Sequence, residues 1–146
     1  MDRQIAVVRE FEWRCLSYCL MGNHVHLLVE TPRANLGSGI QRLHGSYGRR
    51  FNKRHDHRGH LFEGRYGSKL IQTDEHLWTV LRYIAMNPVE AGLCERPEQW
   101  RWSNWGASQP WLATGRLFEF LGAAGGDPIA RFKELALPTL DQPQGV

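Results

Sequence analysis

The stretch Leu20-Met21-Gly22-Asn23-His24-Val25-His26-Leu27-Leu28-Val29-Glu30 constrains the fold of this chain more than any other. Gly22-Asn23 is a pair of the kind that closes a hairpin, and the residues on either side of it are patterned as strands. Trp13 to Met21 predicts one strand, and His24 to Glu30 the strand that returns beside it, ended by Thr31-Pro32. Successive side chains of a strand point to opposite faces, so His24 and His26 share one face. Val25, Leu27 and Val29 share the other, expected to be the core face, which leaves the two imidazoles on the exposed side. Two neutral imidazoles side by side can grip one divalent cation. An arbitrary H-x-H triplet is more often a surface strand with two incidental histidines. The pair gains its weight from a second pattern further along the chain.

Downstream, Asp74 to Asn87 predicts a helix. Leu77, Val80, Leu81 and Ile84 recur at helical spacing, Asp74 is placed to cap the start, and Pro88 is expected to end it. On that helix Tyr83 and Asn87 stand at i and i+4, one turn apart on a shared face. Alone, the pair reads as a core tyrosine and a C-capping asparagine. Beside an H-x-H strand it reads differently: a phenol nucleophile, with an amide oxygen able to complete a metal site.

The rest of the chain fills in around these elements. Residues 1–11 read as the tail of an amphipathic helix. A second helix is predicted from Asn35 to about Arg54, with Ile40, Leu43, Tyr47 and Phe51 on its core face, arginines on the other, and Gly45 and Gly48 permitting close packing. A loop over 55–64 and a strand over 65–72 lead to the Tyr83 helix. Trp100, Trp102 and Trp105 are expected to form an aromatic knot that anchors the following segment. Short helices around Trp111 to Leu121 and Ile129 to Leu135 precede a proline-rich tail expected to be disordered.

Charge is modest in total and concentrated in place. The 146 residues carry 18 Lys and Arg against 15 Asp and Glu, a net +3. Between Ile40 and Leu70, however, eight basic residues face only Asp56 and Glu63, a local excess of +6. Such a block is the footprint of a protein that neutralises phosphates, and Arg49, Arg50, Lys53 and Arg54 are the expected contacts. Cys15, Cys19 and Cys94 have no zinc-finger spacing and read as reduced thiols of a cytoplasmic protein. No apolar run approaches the ~18 residues of a membrane helix, and no signal-peptide pattern opens the chain.

Several signatures, in order, carry a family resemblance. They are Met21-Gly22-Asn23-His24-Val25-His26-Leu27-Leu28, Tyr47 with Phe51-Asn52, Gly59-His60-Leu61-Phe62-Glu63-Gly64-Arg65-Tyr66, Arg82-Tyr83-Ile84 with Asn87-Pro88-Val89, and Trp102-Ser103. From about Leu20 to Trp105 the chain resembles the HUH single-strand transposases with one catalytic tyrosine. These form the Y1 or IS200-like group, and the REP-associated tyrosine transposase branch is the nearest match. The resemblance implies an α+β fold: a ferredoxin-like or RRM-like domain over residues 1–105, with an antiparallel sheet and helices packed mainly on one face. Residues 106–146 would be a C-terminal helical extension and tail. Members usually begin with a further central strand, upstream of where this sequence starts.

The resemblance also implies chemistry. His24, His26 and Asn87 would hold a divalent metal, Mg²⁺ or Mn²⁺, and Tyr83 would attack a phosphodiester of single-stranded DNA to give a 5′-phosphotyrosine intermediate. The partner would be single-stranded or hairpin DNA, bound by a monomer or a homodimer, with no membrane involved. Two other readings stand beside this one. One is a catalytically silent DNA-binding relative, and the other a metal-dependent nuclease that uses water. Among the remaining candidates, His55-Asp56-His57 with His60 reads as a solvated turn before a second metal site, and Glu63 as an auxiliary polar group. Tyr18 and Tyr66 lack a metal-ligand partner at helical spacing.

Overall fold

The computed structural model describes residues 2–107, 109–120 and 130. The chain divides into two compact units, Met1–Arg14 with Glu30–Leu70, and Cys15–Val29 with Ile71–Val146. Its class is α+β, as expected: four α-helices and a two-stranded antiparallel sheet among the described residues.

In the first unit, α1 (Asp2–Glu10) and α2 (Leu36–His55) pack together. Trp13, buried at the exit of α1, lays its ring across α2 at Gly39. A Cβ at Gly39 would stand 2.1 Å from Trp13 Cζ2, so this glycine is a packing requirement. Gly45 and Gly48, expected to serve that role, meet nothing closer than 3.4 Å and 3.8 Å. Asn35 precedes α2 without capping it through its side chain. Instead Asn35 Oδ1 accepts from Trp13 Nε1 at 2.8 Å and its Nδ2 donates to the Phe11 carbonyl at 3.0 Å. Ion pairs Glu10–Arg42, Glu12–Arg33 and Arg14–Glu30 lie at the surface, where each is worth little.

Two expectations fail in this unit. Tyr47 does not join a core, since it is 52% exposed. The packing against α1 engages the N-terminal half of α2, where Gly39 and Ile40 are buried, and leaves the face two turns on uncovered. Residues 65–72 form no strand. A strand needs a ladder partner, and none lies beside this segment among the described residues; Leu70 is exposed, and only Ile71 packs onto a core, that of the second unit.

The second unit is built on the hairpin of β1 (Arg14–Leu20) and β2 (Val25–Glu30), with the Met21 amide donating to the His24 carbonyl at 2.9 Å across the turn. The opposite edge of β1 is closed by the segment after residue 100. Leu20 N donates to Trp102 O at 2.9 Å, and Asn104 N to Tyr18 O at 3.3 Å. Buried Asn104 also accepts, through Oδ1, from Tyr18 N and Ser17 Oγ at 2.8 and 2.9 Å, so its amide substitutes for a third strand. Of the predicted aromatic knot, Trp105 is buried and Trp100 packs on the core, whereas Trp102 is 46% exposed with Arg101 over its ring. Cys15 and Cys19 are buried free thiols, pushed up to about 12 and about 11 by burial, and so are inert packing groups.

Helix α3 (Asp74–Glu90) contributes Leu77, Leu81, Ile84 and Ala85 to a core with Leu16, Cys19, Leu28, Trp105 and Leu117, the last from α4 (Thr114–Phe120). Each fully buried leucine here contributes about 1.5–3 kcal/mol. The cap of α3 is Thr73, whose hydroxyl accepts from His76 N at 3.2 Å; Asp74 is the first helical residue. Pro88 does not end the helix. It sits buried inside α3, and the helix closes only at Ala91 N→Asn87 O and Leu93 N→Pro88 O, with Gly92 at φ +68°. Proline lacks the one donor that would reach Ile84 O, but a preceding residue is only biased away from the helix, and burial of the ring outweighs that bias. The predicted helix over Ile129 to Leu135 and the tail lie outside the described residues, Ala130 excepted.

Candidate functional site

His26 lies on β2, and His24 just before it at the end of the hairpin turn. Their Nε2 atoms stand 3.1 Å apart and their rings meet edge-on, so the two imidazoles converge as period two requires. The face they occupy differs from the expected one. On β2 the buried residue is Leu28, of the same parity as His26, while Val25, Leu27 and Val29 are only partly covered. The histidines thus point to the side that α3 covers. Leu28 runs under the helix, and His24 and His26 emerge where the core ends.

Helix α3 meets them there. The Tyr83 ring lies edge-on to His26, with centroids 5.1 Å apart, and Asn87 hydrogen-bonds the His26 ring. Because α3 continues through Pro88, Asn87 keeps its helical register one turn beyond Tyr83. Tyr83 is 49% exposed, so its hydroxyl is open to a substrate arriving from solvent. His26 is held below the usual imidazole range, first by burial and then by neighbouring His24, with the Asn87 hydrogen bond acting in the opposite sense. A neutral ring at neutral pH has a lone pair to offer.

One contributor escaped the sequence reading. Asn23, assigned only to the turn, brings Oδ1 to 2.7 Å from His24 Nδ1. With Nδ1–H donating to that oxygen, the lone pair of His24 falls on Nε2, the atom facing His26. Such outer partners fix the tautomer of a metal-ligating histidine. Its signal in the sequence was adjacency: an amide directly before the first histidine of the pair.

The donors can be tested against a cation. At metal–nitrogen bonds of about 2.0–2.1 Å, adjacent ligand nitrogens stand about 2.9 Å apart in octahedral and about 3.3 Å in tetrahedral geometry. The 3.1 Å between the Nε2 atoms falls in that range. Among the described residues no group of three or more His, Cys, Asp or Glu is placed to hold a metal. A cation here would rest on two imidazoles and the Asn87 amide, leaving positions for phosphate oxygens. His55, Asp56, His57 and His60 are all exposed, and Asp56 is the left-handed cap of α2. Glu63 is exposed in the first unit, and Tyr18 is buried against Trp111. Arg49, Arg50, Lys53 and Arg54 are all exposed on α2.

Comparison with known proteins adds an independent line. The family described as transposase, IS200-like, matches residues 4–87, more than half of the chain and inclusive of both histidines, Tyr83 and Asn87. The chain is also similar to a protein of Haemophilus influenzae that carries the name REP-associated tyrosine transposase. The two are 29% identical over 105 residues, which cover 64% of this chain and 60% of that protein. The chain therefore covers less than two thirds of that relative's length. No solved structure matches.

Proposed function

This chain belongs to the IS200-like transposase family, and we propose that it cleaves and rejoins single-stranded DNA through Tyr83, with a divalent metal, Mg²⁺ or Mn²⁺, held by His24, His26 and Asn87. The observation that carries this is the convergence of both Nε2 atoms, 3.1 Å apart, beside an exposed tyrosine on the same helix as Asn87. When bound, the cation supplies charge neutralisation and polarisation at a phosphate oxygen.

The chain's own residues do the rest. Asn23 orients His24, and Asn87 stands against the His26 ring, placed to share a cation with it. The His26 ring packs edge-on against the Tyr83 ring and so places the nucleophile beside the metal ligands, where a phosphate held by the cation would meet it. As the tyrosine oxygen–phosphorus bond forms, the bond from phosphorus to the 3′-oxygen breaks. The phenol proton is released, and the 3′-oxygen leaves as a hydroxyl. The resulting 5′-phosphotyrosine conserves the phosphodiester bond, so a different 3′-hydroxyl can reverse the step and join strands without a nucleotide cofactor.

Incubation with a 5′-overhang hairpin oligonucleotide and Mn²⁺ is expected to give a denaturant-resistant protein–DNA adduct, and excess chelator is expected to remove it. Cleavage without an adduct would assign the chemistry to water, and DNA binding with neither would leave a silent DNA-binding protein. Binding itself is expected to rest on α2. Charge reversal at Arg49, Arg50, Lys53 and Arg54 together should lower affinity and flatten its salt dependence by up to ~3 in log–log slope, at ~0.7 for each phosphate no longer neutralised. An unchanged slope would make these residues solvated surface only.

A further inference from the structure

Helix α2 carries more than charge. Two turns beyond its contact with α1, an aromatic stripe runs along one face, and the chain after the helix folds back onto it. Asn52 clips this return: its Nδ2 donates to Gly59 O at 2.9 Å, and its carbonyl accepts from His57 N at 3.0 Å. The return delivers Phe62 to α2, where it stacks on His44 with centroids 4.0 Å apart and 12° between planes. Tyr47 lies 6.2 Å from Phe62 and 6.2 Å from Phe51. Among the described residues the cluster opens to solvent at Tyr47, 52% exposed, and Phe62, 37% exposed, while Phe51 is half-buried with the His55 ring 4.4 Å from its own. Burial holds His44 below the usual imidazole range, so it stacks as a neutral ring.

Single exposed aromatics are ordinary, but a contiguous exposed aromatic patch marks an interaction surface. Its setting says for what. Arg50 and Arg54 stand three residues beyond Tyr47 and Phe51, and therefore beside them on the helix surface, both exposed. π-faces bordered by guanidinium groups match a ligand of flat rings strung on a phosphate backbone. In a duplex the base faces are already stacked on one another, so only an unpaired strand can offer them.

We propose that Tyr47, Phe51 and Phe62, with His44, form a stacking surface for unpaired nucleobases of single-stranded DNA, with Arg50 and Arg54 on the adjoining phosphates. This rests on the reading that the substrate is single-stranded, and it assigns a site for bases away from the bond that is cut.

The test uses the full chain and a single-stranded oligonucleotide carrying 2-aminopurine, whose fluorescence is quenched by stacking. Wild-type protein is expected to quench it. Tyr47→Leu is expected to relieve the quenching and weaken binding about 5- to 150-fold per base released, with the salt slope unchanged because no charge is removed. Tyr47→Trp is expected to retain both signals, and affinity for a blunt duplex is expected to be indifferent to Tyr47. Phe62→Leu provides a second variant should Tyr47→Leu lose helicity by circular dichroism. The proposal is overturned if wild-type protein does not quench the probe. It is equally overturned if folded leucine variants bind within twofold of wild type, or if duplex binding falls as much as single-strand binding. Adduct formation through Tyr83 is read separately: an adduct without quenching sinks the stacking surface alone, and quenching without an adduct sinks the cleavage reading alone.

Discussion

Replacing Tyr83 with phenylalanine is expected to abolish strand cleavage and covalent adduct formation while leaving fold and DNA affinity nearly unchanged. Only the hydroxyl is removed. The ring contact with His26, at 5.1 Å between centroids, is kept, and the half-exposed position means that no buried partner loses its hydrogen bond. A nucleophile has no partial substitute in the site, so the expected loss is on the order of four decades in rate or more, the scale seen when a covalent nucleophile is deleted. Affinity for an uncleaved oligonucleotide should stay within about twofold, since the phosphate contacts assigned to α2 are untouched. His26→Ala makes an informative companion, because it should stop cleavage with the Tyr83 hydroxyl still present. If Tyr83→Phe retains cleavage above a tenth of wild type, the hydroxyl is not the nucleophile.

Gly39→Ala is expected to destabilise the protein, against the usual direction for glycine in a helix. Helix propensity alone favours alanine by about 1 kcal/mol. Here the new methyl carbon would stand 2.1, 2.5 and 2.9 Å from three atoms of the Trp13 ring, and the rigid indole cannot yield locally. Relief requires moving Trp13, which is buried and pinned through Nε1 to Asn35 Oδ1 at 2.8 Å. Overpacking costs about 1–3 kcal/mol, and an orphaned indole N–H adds about 1–3 kcal/mol. After the propensity gain the net loss is roughly 1–5 kcal/mol. Urea unfolding followed by far-ultraviolet circular dichroism reads this directly. A midpoint equal to or above that of wild type would mean that the Trp13–Gly39 contact is looser than described.

Period and turn chemistry are local properties, and they were legible. Gly22-Asn23 closes the hairpin where the pair predicts, the strands and α2 begin and end within two residues of expectation, and His24 converges with His26 because two residues of strand return to one face. The spacing of Tyr83 and Asn87 was equally readable, since it needs only helical rise.

What sequence could not decide is which face of a strand another element covers. Alternation says that Val25, Leu27 and Val29 oppose the histidines; hydrophobicity then assigns the core to them. The packing of α3 instead buried Leu28, of the histidines' own parity, and so brought His26 to Tyr83 and Asn87. Pro88 followed the same logic, as burial outweighed a local stop signal and kept Asn87 in register. Tyr47 was apolar at a core spacing yet faces solvent, because α1 covers only the first half of α2. The 65–72 segment has strand composition and no partner strand among the described residues. The order and spacing of the chemistry are thus written in the sequence. Tertiary packing decided which side that chemistry faces, because coverage depends on contacts between residues as far apart as Leu28 and Leu81, which no local pattern encodes.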